Sequence, residues 1–389
     1  MEESNLTPRT GWFDRLRTVL VGKQGRAVLG IGLFVLVFGA ALWAAYARYA
    51  GDGGTSTTNP GGKRFLPSFS LSDSQTTKSA ILTGQAVASE RATRRPLAVM
   101  IENHPDARPQ AGLVVADMVF EAIVEGGITR FMAVFGSQEA ETIGPIRSSR
   151  PFYVAWAAGL HALYAHAGGS QAALALIPTV NEIVDLPHAA AYFQREPKPN
   201  VATEHTLFSS TKQLYSYATE KKASTDAQIK SYRFTNDGPL ATRPASAKAT
   251  INFSTQAYQV DWQYEPSTNR YARSLAGQAH VDRTSGDQIT ASNIAVLTVA
   301  RSFDPNTNQG KGEWSMQTEG SGKLLLLQNG TVTEGTWKRP TRSDLPLLLD
   351  DKGRELELVR GTTWFEIVPP DIAVSHEEQS TKTTPSLKQ

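Results

Sequence analysis

The chain has 389 residues, 40% of them hydrophobic, with 39 basic against 37 acidic side chains. Length predicts about two or three domains at roughly 150 residues each, and the balanced charge gives no reason to expect nucleic-acid binding. Cysteine is absent, which excludes disulfides, thiolate catalysis, zinc–cysteine sites and a cysteine-borne lipid anchor.

Residues 1–26 carry Arg9, Arg15, Arg17, Lys23 and Arg26, and the following stretch from Ala27 to Ala47 has no charged residue. About 20 apolar residues at ~1.5 Å each cross a ~30 Å hydrocarbon core. The pattern predicts a single transmembrane helix over 27–47, with Trp43, Tyr46 and Tyr49 at its outer interface. The positive-inside rule then puts the basic segment in the cytoplasm and the rest of the chain outside the cell membrane. A cleaved signal peptide is the competing reading. Residues 48–92, rich in Gly, Ser and Thr, read as a flexible linker.

The folded part reads as α+β over 93–235 and as a smaller, mostly antiparallel β domain over 246–370, with 371–389 a disordered tail. A strand is expected within Arg95–Asn103. Asp117 to Gly136 predicts a hairpin closed by Gly126-Gly127. Helices follow from about Pro151, Ser170 and Thr211, with a short strand ending at His166. Beyond Thr250, aromatic and β-branched runs separated by Gly, Asn and Asp give the β-rich pattern, including Ala295–Val299, Leu324–Leu327, Thr331–Trp337 and Thr363–Val368.

Three groups of residues could carry chemistry. A two-residue turn at Gly126-Gly127 would pair Ile123 with Arg130 and place Asp117, Glu121, Glu125 and Arg130 on one face. Glu121 and Glu125 would then stand about 13 Å apart along the strand, too far for a glycosidase pair. A charge cluster or a ligand contact suits them better. Arg147, Ser148, Ser149 and Arg150 run into a helix start at Pro151, where free N–H groups and guanidinium forks suit a carboxylate or phosphate; internal pairing with Asp117, Glu121 or Glu125 explains the arginines equally well. His166, Gly168, Gly169 and Ser170 form a second strand-to-helix turn, in which Ser170 can cap. No His-x-x-x-His, His-Glu-x-x-His or Gly-x-Ser-x-Gly spacing occurs, so neither a metal nor another cofactor is expected.

Ile81-Leu82-Thr83-Gly84, Arg95 to His104, Ala107 to Leu113, Val124 to Arg130, Gly144 to Arg150 and His166 to Ser170 are together similar to the YerB-like family. Gly335-Thr336-Trp337-Lys338 and Gly361 to Phe365 resemble its C-terminal part. The resemblance runs from about Lys78 to Pro369. It implies a bacterial, membrane-attached protein with an N-terminal α+β domain and a smaller C-terminal one, both of unknown function, and it brings no established activity. Family members are often lipoproteins, whereas this sequence has no cysteine and would use its apolar helix. A His-Asn-Leu-Tyr-like stretch of the family stands here as His205-Thr206-Leu207-Phe208.

The expected function is a cell-envelope binding or accessory module that holds an anionic polymer or peptide carboxylate through Arg130, Arg147, Arg150 and the adjoining turns. The alternative is a cell-wall glycan hydrolase with Glu121 or Glu125 as general acid.

Overall fold

Runs such as Leu97-Ala98-Val99-Met100-Ile101 are apolar at every position, so a sheet built from them needs cover on both faces. A computed structural model describes residues 76–227, 229–307 and 312–379, and there both covers are present. In chain order the principal elements are β1 (Leu97–Glu102), β2 (Met118–Ile123), β3 (Thr129–Phe135), α1 (Pro151–Gly159), β4 (Leu163–His166), α2 (Gln171–Leu176), β5 (Val184–Pro187) and α3 (Thr211–Glu220). They continue with β6 (Ser246–Asn252), β7 (Gln259–Glu265), β8 (Arg270–Leu275), β9 (Gln278–Ala279), β10 (Thr290–Ala291) and β11 (Asn293–Thr298). The last are β12 (Gly320–Gln328), β13 (Thr331–Arg339), β14 (Leu347–Leu349), β15 (Thr363–Val368) and β16 (Val374–Gln379). The fold is a β-rich α+β fold.

One ten-stranded sheet runs in the order β14-β13-β12-β11-β15-β2-β3-β1-β4-β5. Its middle is a splice. β15 from near the end of the chain lies parallel to β2, with Phe365 opposite Phe120, and parallel to β11 on its other side. Strands from both sides of residues 236–245 therefore share one sheet. A second, six-stranded sheet is antiparallel throughout and contains β6 to β10 and β16.

Alternation sorts the core into two layers. Leu97, Val99, Ile101, Val119, Phe131 and Trp364 share a buried cluster with Ile251, Val260, Trp262 and Tyr271 of the six-stranded sheet. Trp262 meets Trp364 edge-on at 5.3 Å between ring centroids. On the other face, Ala98, Met100, Phe120, Met132 and Phe365 pack with Phe152, Tyr153 and Trp156 of α1. Phe120 stacks on Phe365 at 4.5 Å.

Several expectations need correction. Residues 76–92, read as linker, contain the paired strands Thr77–Ser79 and Ala86–Ala88 and bury Ala80, Leu82 and Ala92. Residues 374–379, read as disordered tail, form the edge strand β16, hydrogen-bonded along Ser246–Ile251. A mostly exposed strand shows no apolar alternation in its sequence, because backbone bonds alone recruit it. The predicted membrane helix at 27–47 lies outside the described residues. Among the described residues no helix is long and apolar enough to cross a membrane.

Candidate functional site

The hairpin forms, but its turn has three residues. Val124 N–H donates to the Ile128 carbonyl at 2.8 Å, and Glu125, Gly126 and Gly127 make the loop, with φ of +65° and +73° at the two glycines. The extra residue shifts the register by one. Ala122, not Ile123, lies opposite Arg130, and Phe131 lies opposite Glu121. A one-residue slip exchanges the faces of a strand, so Arg130 and Glu121 point to opposite sides of the sheet. The expected common face of Asp117, Glu121, Glu125 and Arg130 does not exist.

Each acidic residue has a different fate. Asp117 is buried, and its carboxylate accepts from the Ser137 backbone N–H at 2.7 Å and from the Ser137 hydroxyl. Burial pushes its carboxyl up to about 6 against those bonds. Glu121 is fully buried, 2.5 Å from Arg273, and accepts from Thr129 Oγ1 at 2.6 Å. It lies between sheets, beyond the reach of a substrate. Glu125 holds Arg150 in a two-pronged pair at 2.5 and 2.6 Å. Burial alone would raise the Glu125 carboxyl, but Arg150 outweighs it and holds it below the usual range. A general acid must carry a proton at working pH, so Glu125 does not suit the hydrolase reading, and Glu121 is out of reach of a substrate.

The arginines do gather, around a residue that the sequence did not single out. Glu102, at the end of β1 and 2% exposed, lies opposite Arg130 in the sheet. Its Oε2 is 2.5 Å from Arg147 Nε, 3.7 Å from Arg130 Nη2 and 3.9 Å from His205 Nδ1. Burial raises the Glu102 carboxyl, yet the charges of Arg130 and Arg147 together keep it below the ordinary value. Arg147 also approaches the half-exposed Glu204 at 3.8 Å. A charged residue closing an otherwise apolar strand is the available sequence signal for Glu102.

The two candidate turns run side by side. Ser149 N–H donates to the Gly168 carbonyl at 2.9 Å, Ala167 N–H to the Arg147 carbonyl at 3.0 Å, and Ser148 Oγ to the Ala167 carbonyl at 3.1 Å. Arg130 Nη1 donates to the Ser148 carbonyl at 3.0 Å. Ser149 Oγ bonds the Tyr164 hydroxyl at 2.6 Å. His166 is buried between the Gly168 carbonyl and Asp185, at 2.7 and 2.9 Å. Ser170 caps α2 by accepting from Ala173 N–H at 3.2 Å and also bonds Glu313. Arg150 directs its remaining nitrogen, Nη1, to the Ser149 carbonyl at 2.6 Å. Of the expected contact residues, Arg147 combines a guanidinium with substantial exposure: 27%, against 10% for Arg150 and 5% for Arg130.

Beside Glu102, His104 and His205 stack at 4.9 Å with an interplanar angle of 10°. Burial and the nearby cations lower the His205 pKa, in part against the pull of Glu102. His104, Asp106 and His205 each offer a donor atom within 4.8 Å of the other two. Sequence spacing missed this group because its third member lies a hundred residues away in the chain; His104-Pro105-Asp106 was its local sign.

Residues 82–224 match the model of the protein of unknown function DUF3048, N-terminal domain, and residues 249–365 that of its C-terminal domain. The chain belongs to the YerB-like family. It is 31% identical to the putative lipoprotein YerB of Bacillus subtilis over 295 residues, 75% of this chain and 86% of the relative. The crystal structure of the Bacillus subtilis YerB protein matches with a TM-score of 0.67 at 30% identity, covering 77% of this chain and 99% of the other.

Proposed function

We propose that the chain is a membrane-attached, extracytoplasmic binding protein whose ligand presents a carboxylate or another anionic group of the cell envelope to Arg147. The membrane part of this reading rests on the lipoprotein description of the Bacillus relative and on the uncharged stretch 27–47, since this sequence has no cysteine to carry a lipid. The observation that carries the ligand part is the exposure of one guanidinium at the end of β1. Arg130, Arg147 and Arg150 stand among the carboxylates of Glu102, Glu125 and Glu204, and the partly exposed guanidinium is Arg147. Buried Glu102 fixes that side chain from behind, so an incoming anion meets a preorganised fork.

The test is co-sedimentation of the full chain, in detergent, with purified peptidoglycan carrying its anionic polymers. Binding is expected to weaken with salt and to fall about tenfold in Arg147→Ala, in line with the loss of one charge-assisted contact. No soluble glycan products are expected. Equal binding by Arg147→Ala, or release of products, would overturn the reading. Protease added outside spheroplasts is expected to reach residue 60 and to leave residues 1–26 protected.

A further inference from the structure

The geometry points to a divalent transition-metal site of the zinc type formed by His104, Asp106 and His205, which does not depend on the anion-binding reading. Two imidazoles and one carboxylate are a ligand set that zinc accepts in sites with an open fourth position. The three donor atoms already lie within 4.8 Å of one another. A second, separate observation points to a ligand there. The His205 side chain is 8% exposed, yet its buried Nδ1 has no hydrogen-bond partner. A buried polar atom left unpaired costs about 1–3 kcal/mol, and a metal on the other ring nitrogen would hold the proton on Nδ1, where it faces Glu102 at 3.9 Å.

The three residues lie on two short helical turns, and loading would require movement within the group. His104 and Asp106 flank Pro105 at the start of the short helical turn Pro105–Ala107, and His205 ends the turn Thr203–His205. His104 Nδ1 is 3.6 Å from the Asp106 carboxylate. Tetrahedral zinc with bonds of about 2.0–2.1 Å sets its donors about 3.3 Å apart, so the group must contract by roughly an ångström. The near-parallel rings must also tilt, because a lone pair lies in the plane of its ring. The residues that can move are the open ones, since the side chains of His104 and Asp106 are 35% and 59% exposed. His205 stays fixed in the wall. Glu102, 3.9 Å from His205 Nδ1, stands where an outer carboxylate orients a ligating imidazole. The open metal position would then lie beside Arg147, which shares Glu102.

The experiment is calorimetric titration of the full chain, purified in detergent without an oligohistidine tag, with zinc chloride, alongside cobalt(II) absorption. One equivalent of zinc is expected to bind, and cobalt is expected to give the visible bands of a four- or five-coordinate site. His104→Ala and Asp106→Asn should each weaken zinc by at least tenfold while the chain still unfolds cooperatively in the absence of metal. His205→Ala should abolish the cobalt bands. Absence of zinc uptake by the wild-type chain, or affinity and cobalt spectrum unaltered in His104→Ala, would overturn the proposal. Either result leaves binding of peptidoglycan through Arg147 to be judged in its own assay.

Discussion

At the residue scale, two buried carboxylates impose opposite pH dependences. Asp117 has its carboxyl raised to about 6 from an ordinary value of 3.8. The folded state therefore binds a proton more readily than the unfolded chain, and stability falls as pH rises between those two values. The contribution is fully present below about 4 and lost above about 6, on the order of 3 kcal/mol. Urea midpoints of the wild type should therefore decline across this window relative to those of Asp117→Asn; parallel curves would refute the assignment. Glu102 is shifted the other way, so its contribution exists above the ordinary carboxylate range and disappears as pH falls through its lowered value. Glu102→Gln should cost about 3 kcal/mol in chemical denaturation near neutral pH, because Arg130 and Arg147 lose a shared, buried partner. Arg147→Ala removes a partly exposed side chain and should cost much less. Internal pairing of Arg150 with Glu125 was among the sequence expectations, but the expected network of Arg130 with Glu121 does not form, because the hairpin register parts their faces. The identity of the central glutamate was not legible in the sequence, since Glu102 meets Arg130 across the β1–β3 register, a pairing between strands that are not consecutive and that no turn joins.

At the element scale, the turn decides which side of the sheet Arg130 occupies. The sequence marks a hairpin at Gly126-Gly127 plainly, but paired glycines fit both a two-residue and a three-residue loop. The choice between them is made by packing. In the observed register Phe131 joins the inter-sheet core and Met132 the α1 side; the slipped register would exchange them. Gly126 has φ of +65° and open space around its Cβ position. Gly126→Ala should therefore cost only about 1 kcal/mol in thermal or urea unfolding, from the left-handed backbone. Deleting Gly126 should instead remove most folded protein, as a shorter turn forces the wrong faces inward. Equal stability of the deletion and of Gly126→Ala would show that the loop does not hold the register. Strands such as Thr363–Val368 were legible in full because β-branched and aromatic residues fill every position but Glu366. Polar β16 was not.

At the scale of the whole molecule, the two family segments are joined by one sheet and by a charge cluster that neither could bury alone. Glu121 of β2 and Glu366 of β15 are neighbours in register, both fully buried. Arg273 of β8 bonds Glu121 at 2.5 Å and stands 4.6 Å over the Trp364 ring, and Trp262 Nε1 donates to Glu366 at 2.8 Å. Burial, followed by the nearby charge of Glu121, pushes the Glu366 carboxyl well up, which favours its neutral form beside the Arg273–Glu121 pair. A fragment of residues 76–235 would lack Arg273, Trp262 and β15 together. It would leave Glu121 without its cation and the apolar edge Met118–Ile123 unpaired, a strand edge open to association. That fragment should aggregate or lack dispersed amide resonances, whereas co-expression with residues 236–389 should restore a soluble complex. In the intact chain, Arg273→Ala should cost about 3–5 kcal/mol by urea unfolding, since it strands a buried charge. Glu121→Leu combined with Arg273→Met should recover much of that loss, because an apolar pair of similar bulk avoids the desolvation of both ions. A well-folded, monomeric fragment 76–235 with a cooperative transition would show that β2 needs no partner from the second segment, and would remove the reason for the two segments to fold as one.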